Sequence, residues 1–268
     1  MQIEIIGCTG AGKSTLLEGI LKACRELGIE ASSGDDYVLK KAHLNWVGGY
    51  LPRTLLVDLI SLIICSLTWR KYSDFYRLVF RVIFGLPAEI SWFERLNLAR
   101  NTFKKIGIHE IVHLRGSDEQ IVLMDEGTLN TASCLFVHLS TELPATEFSN
   151  FVRLVPVPDA AIYLRQDEEI LIERTMARGH KRIREGSRSA VERFIKRAVS
   201  TFDGLVQHSA IASRVIEVDG DQRVGLPPED QDFIAQVMTL KVLRAGMDVV
   251  LTDHSFRPGH ALAPGMFE

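Results

Sequence analysis

The strongest chemical signal lies in eight residues near the start of the chain. Gly7-Cys8-Thr9-Gly10-Ala11-Gly12-Lys13-Ser14 places two glycines with four residues between them, then lysine and serine. Glycines let successive backbone N–H groups converge on one anion, which larger side chains would obstruct. Lys13 supplies a point charge for β- and γ-phosphates, and Ser14 a hydroxyl for Mg²⁺. A helix opening at Lys13 would aim its positive end at the same anion. The expected cradle is Gly7, Thr9, Gly10, Ala11, Gly12, Lys13, Ser14 and Thr15, and the expected ligands are ATP and Mg²⁺.

Two acidic stations follow. Ile121-Val122-Leu123-Met124-Asp125-Glu126-Gly127 is an apolar run ending in two carboxylates. A buried strand delivers an acid to its C-terminal edge in this way, so Asp125 is the candidate for the magnesium shell beside Ser14. Glu126 could orient a water or contact an acceptor. Ser32-Ser33-Gly34-Asp35-Asp36-Tyr37 ends a second run at the same edge, where an acid can take a proton from an incoming hydroxyl. A helix cap is the plain alternative for either station.

The basic station lies further on. Residues 174–188 hold Arg174, Arg178, Lys181, Arg182, Arg184 and Arg188 against one acid, Glu185. Arg174, Arg178 and Arg182 recur every fourth residue and share a face while the stretch is helical. Mobile arginines of this kind stabilise charge spread over a transferring phosphoryl group and exclude water. A solvated basic face is the alternative.

His109-Glu110-Ile111-Val112-His113 matches the zinc-peptidase pattern of two histidines one helical turn apart beside a glutamate. Gly107 is expected to interrupt the helix upstream and Gly116 to end it downstream, and no third ligand stands out. Ordinary helix-face histidines are the expectation.

These stations need elements to hold them. Short apolar runs over 3–6, 29–32, 121–124, 160–164 and 214–218 alternate with helical patterns over 13–27, 129–139, 168–178, 190–206 and 228–243, the signature of a parallel α/β sheet. Residues 37–120 form a long helical insertion between the second and third strands. It holds all three tryptophans and 12 of the 21 aromatic residues, so it has its own small core, an aromatic-lined pocket, or both. The domain is expected over 1–245, with a punctuated tail over 246–268.

The bulk properties of the 268 residues agree with that reading. Hydrophobic residues make up 46% and charged residues 24%, which excludes a disordered chain. A net charge of −3 argues against a nucleic-acid partner. Four scattered cysteines suggest neither a disulfide framework nor a zinc ribbon, and a reducing compartment fits better. The first residues lack the n- and h-regions of a signal peptide, so the cytoplasm is expected. Residues 55–67 are nearly all apolar but too short to span a bilayer, and are expected as a buried core helix or a dimer interface.

The sequence resembles the nucleoside and nucleoside-monophosphate kinase group of P-loop proteins, thymidylate-kinase-like proteins above all. The resemblance rests on residues 7–15, on Asp125-Glu126-Gly127, and on Ala160-Ala161-Ile162-Tyr163-Leu164 leading into Glu173-Arg174 and Ala177-Arg178-Gly179. It implies a three-layer α/β/α fold with a five-stranded parallel sheet, and lid arginines at Arg174, Arg178 and Arg182. Val215-Ile216-Glu217-Val218-Asp219-Gly220 is similar to the last strand and turn beside the adenine. Gly34-Asp35-Asp36-Tyr37 is similar to the acidic turn of uridine-kinase-like enzymes, which would make Asp35 the base. The expectation is a small-molecule kinase. An ATPase or switch with Glu126 activating water is the alternative, and a lipid-linked acceptor is a remote one.

Overall fold

A computed structural model of the chain describes residues 1–88, 90–115, 120–138, 145–180, 182–183 and 186–220. The helix expected over 228–243, the tail over 246–268, Lys181, Arg184 and Gly116 lie outside them.

Five strands form one parallel sheet: β1 (Gln2–Ile6), β2 (Ala31–Ser33), β3 (Ile121–Met124), β4 (Ala160–Arg165) and β5 (Val215–Asp219), in the order β2-β3-β1-β4-β5. The near-continuous apolar runs are what a sheet covered on both faces requires. Alternate residues of β3 show the layering directly: Ile121 and Leu123 enter one apolar cluster, Val122 and Met124 another. The sheet is therefore the middle of three layers. The C-terminal edges of β1 and β3 stand side by side at its centre, which brings the glycine-rich loop and Asp125 together.

Nine helices surround the sheet among the described residues: α1 (Lys13–Glu26), α2 (Gly34–Lys41), α3 (Tyr50–Leu67), α4 (Ser73–Phe84), α5 (Trp92–Arg115), α6 (Thr131–Phe136), α7 (Ala145–Leu154), α8 (Glu168–Arg178) and α9 (Arg188–Gln207). Two boundaries moved for identifiable reasons. The second strand starts two residues late because the Ile29 amide still bonds the Cys24 carbonyl, closing α1. The helix expected over 129–139 begins only at Thr131 as α6, because the chain before it turns through tighter bonds, Thr131 to the Thr128 carbonyl and Ala132 to the Leu129 carbonyl, while residue 139 lies outside the described residues.

The insertion holds three corrections. Gly107 does not interrupt a helix: α5 runs through it for 24 residues. Its missing side chain serves packing, since a Cβ there would overlap the Ser61 carbonyl of α3. The apolar segment is longer than expected, an 18-residue helix that is long and apolar enough to cross a membrane. It is also not a buried helix. Val57, Asp58, Ser61 and Cys65 face α5 and its neighbours, whereas Leu51, Leu55, Leu59, Ile63 and Leu67 are all more than half exposed, in one row along the helix. Finally, the aromatic residues divide: Trp46, Tyr50, Phe84, Trp92 and Phe93 are more than half exposed, and others build the expected core. Trp69 stacks on Tyr76 at 4.3 Å between ring centres, Phe80 and Phe103 pack against them, and Phe75 joins Phe136 and Phe151.

Candidate functional site

The loop after β1 turns through Gly10 and Gly12, both in the left-handed region at φ 80° and 97°, where larger residues are strained. Lys13 Nζ donates to the Gly7 and Cys8 carbonyls at 2.9 and 3.0 Å. Burial pulls the Lys13 ammonium below its usual range, against the pull of Asp125 and Glu126. At the next strand end, Ser14 Oγ donates to Asp125 Oδ2 at 2.8 Å. Asp125 Oδ1 is buried without a hydrogen-bond partner.

That unpaired oxygen beside a serine hydroxyl fits a magnesium ion. The described residues gather no group of three or more His, Cys, Asp or Glu that could hold a metal. A magnesium ion here would therefore complete its shell with water and phosphate oxygens, as this cation generally does.

A cavity of about 1120 Å³ opens over the C-terminal edge of the sheet. The whole expected cradle lines it, as do Asp219 and Gly220 after β5 and Asp125 after β3. Arg174, Arg178 and Arg182 reach the same wall, although they do not share one helical face. The helix ends at Arg178, Gly179 turns at φ 71°, and Arg182 arrives from the turn beyond. Arg174 donates to the Gly10 carbonyl at 3.0 Å and Arg182 to the Ser133 carbonyl at 2.9 Å. This basic segment has apolar anchors: Ile183 is buried, and the His180 ring packs on Phe194. Arg188 stands apart, paired with Glu169 and Glu192.

The far end of the cavity was not foreseen. Asn101 of α5 lines it with Glu126, Asn130, Ser133 and Cys134. Behind them Lys105, with its side chain 6% exposed, pairs with Glu126 at 3.3 Å. Lys105 holds the Glu126 carboxyl below the usual range, against burial. The Cys134 thiol is pushed up by its burial, but Lys105 and Arg182 more than reverse that and bring it below a free thiol. Lys105 carries no sequence motif. A lysine on the inward side of a helix is the only hint the sequence holds.

Asp35 and Asp36 do not line this cavity. Asp35 stands in the first turn of α2, paired with Lys104 at 3.4 Å, and Lys104 also reaches Asp58. Asp36 accepts from Ser33 and from Arg53, and Ser33 caps the helix. Adjacent lysines of α5 thus each hold one candidate carboxylate from the sheet edge. The histidines of the peptidase-like motif lie on α5 outside the cavity. His113 Nδ1 meets the His109 carbonyl at 3.0 Å, and the buried Glu110 accepts from Lys71 and Tyr72.

No family model matches the sequence, and no curated protein matches it. Among solved structures the chain is similar to deoxyadenosine kinase from M. mycoides in three states. With dCMP and a flexible dCDP bound the identity is 15% and the TM-score 0.43. With dCTP the values are 16% and 0.43, and with dATP 15% and 0.45. Each match covers 90% of this chain and 100% of the other. Likeness at that level carries no functional weight. The chain's own geometry is an α/β fold with a glycine-rich loop between a central parallel strand and a helix, and an acid at the next strand end.

Proposed function

We propose that the protein is a Mg²⁺-ATP-dependent phosphotransferase acting on a small-molecule acceptor. The observation that carries this is one continuous cavity. It runs from Asp219 and Gly220, across the phosphate loop and three arginines, to a polar end at Asn101 and Asn130. A donor nucleotide fits the first part, with its phosphates on the loop amides. The second part leaves room for an acceptor within reach of the same phosphates. Bound magnesium would neutralise phosphate charge beside Ser14 and Asp125.

Each residue then has a task. Lys13 and the loop amides orient the phosphates, and Arg174, Arg178 and Arg182 offset charge that spreads over the transferred group while keeping water out. Asp35 is the proposed base for the acceptor's hydroxyl. It borders the acceptor end through Lys104, which lies one helical turn from Asn101 and must yield the carboxylate when acceptor binds. The insertion over 37–120 would form the acceptor side and residues 174–188 the lid.

One observation favours a second reading. Glu126 lies on the cavity wall and Asp35 does not, so a water activated by Glu126 would make the protein an ATPase acting on a partner. An acceptor screen over nucleosides, nucleotides, sugars and polyprenols, following ATP consumption, separates the two. Acceptor-dependent turnover supports the kinase, and constant hydrolysis overturns it.

The four cysteines are all free and buried, which supports a reducing, cytoplasmic setting. The α3 row supports a homodimer over a membrane span. Asp58 on the opposite side of α3 is ion-paired to Arg100 and Lys104, so the helix cannot leave α5 without unpairing a buried charge.

A further inference from the structure

Glu4 is an anomaly of the sheet. It sits on the central strand among Ile3, Ile5 and Ile6, and it is fully buried. An isolated carboxylate in such a place costs far more than an apolar side chain unless donors surround it. The donors come from one segment, the turn that follows Asp125-Glu126-Gly127. Glu4 Oε1 accepts from the Asn130 amide at 2.8 Å and Oε2 from the Leu129 amide at 3.0 Å, while Thr128 Oγ1, 3.4 Å from Oε2, donates its proton to the Pro156 carbonyl at 2.5 Å. Gly127 passes so close that a Cβ there would overlap the carboxylate. The register makes this possible, because Glu4 pairs with Met124, the residue just before Asp125.

We infer that Glu4 is a positioning residue: its carboxylate clamps the turn 128–130 and so sets where Asp125 meets Ser14 and where Glu126 meets Lys105. The inference rests on the proposed site, since Asp125 and Glu126 matter through their place in it. The clamp needs both oxygens as acceptors. Protonation makes one oxygen a hydroxyl, a much weaker acceptor for the amide it faces, and one end of the turn is loosened. Burial raises the Glu4 carboxyl to about 7, against the two amides and Lys105 of α5, so the change falls near neutrality. Lys105 is the charged group that faces it among the described residues.

This gives the clamp a signature that a structural role lacks. Glu4 is raised above its unfolded value of 4.5, so its contribution to stability is complete below 4.5 and is lost as pH rises through about 7. The clamp works in the opposite direction, strengthening as pH rises. Loss of stability therefore cannot imitate loss of the clamp.

The test follows amide hydrogen exchange at Leu129 and Asn130 and the affinity for ADP with and without Mg²⁺, at pH 8 and pH 6. In the wild-type protein the protection factors of these amides should fall by about tenfold or more on acidification. The affinity gained from Mg²⁺ should fall with them, since a one-proton linkage allows at most about tenfold per pH unit. Glu4→Gln should be loosened at both pH values and lose the pH dependence. Equal protection and equal magnesium dependence in the wild type and Glu4→Gln would overturn the inference. If Glu4→Gln does not fold, Gly127→Ala takes its place, pushing a methyl group against the intact carboxylate. Unchanged exchange at 129–130 in that variant overturns the inference as well. If the wild type binds no ADP, the phosphotransferase reading falls, and the exchange data still decide the role of Glu4.

Discussion

The two ends of the cavity are built in opposite ways. At the proposed donor end, nearly everything that would touch phosphate comes from nine consecutive residues and the helix they open. At the proposed acceptor end, Asn101 comes from α5, Ser133 from α6, and Glu126 and Asn130 from the turn between β3 and α6, and Lys105, Lys104 and Glu4 support them from behind. A contiguous loop carries its geometry in its own backbone, so its function is local. A wall assembled from α5, β3 and α6 depends on every contact that holds those elements in place. The donor end should therefore fail through single residues, and the acceptor end through its supports.

The sharpest break is Lys13→Ala. It removes the charge built into the cradle and should abolish ATP-dependent turnover, with nucleotide binding read by calorimetry. Persistence of turnover would remove the basis for treating the two ends as parts of one site.

Next in size is the pair of carboxylates held by adjacent lysines. Asp35→Asn should lower kcat by about 10²–10⁴ with little change in ATP affinity, as loss of a general base does. Glu126→Gln should be the milder change in acceptor turnover. A reversal of that order would move the base to Glu126 and turn the acceptor end into a water site.

The proposed lid lies between the two ends, and Arg178→Ala tests it. Turnover should fall by about 10²–10³ while the ATP dissociation constant rises much less, because the arginine is needed most when charge spreads in the transition state. Equal losses in kcat and in ATP binding would assign Arg178 to the donor end alone.

A smaller effect comes from behind the acceptor wall. Gly107→Ala should gain about 1 kcal/mol of helix propensity. It should lose more, about 1–3 kcal/mol, by forcing a methyl group against the Ser61 carbonyl of α3. The net result is a Tm lower by a few degrees, with acceptor turnover impaired before ATP binding. Stabilisation would show that α3 and α5 separate easily.

The smallest effect is on acid stability. Burial, His113 and Lys71 hold the His109 imidazole of α5 at about 3, and burial holds His138 after α6 at about 4. Both lie below the usual 6.5, so their contribution is present above 6.5 and is lost as pH falls below it. His109→Leu should flatten that acid limb of the denaturation curve, leaving the part due to His138. An unchanged curve would show that His109 is not desolvated in solution.

Much of this protein is legible in residue order. The glycine spacing with the lysine after it points to a phosphate loop from residue order alone, and four of the five strands announce themselves as apolar runs within a residue of where they stand. Asp125 follows from its place at the end of such a run. These features are local, because backbone conformation and strand burial depend on neighbours in sequence. Tertiary structure alone decided the rest. Gly107 reads as a helix breaker until α3 packs against it, and α3 reads equally as a core helix or an interface helix until its outer row is left exposed. Glu4 reads as a lone acid in an apolar strand until the parallel register of β1 and β3 places two free amides above it. Lys105 reads as one more lysine on a helix until that helix lies beside Glu126. For Gly107, Glu4 and Lys105 the deciding partner lies 46, 125 and 21 residues away, and only the closing of the sheet and its helices brings each pair together.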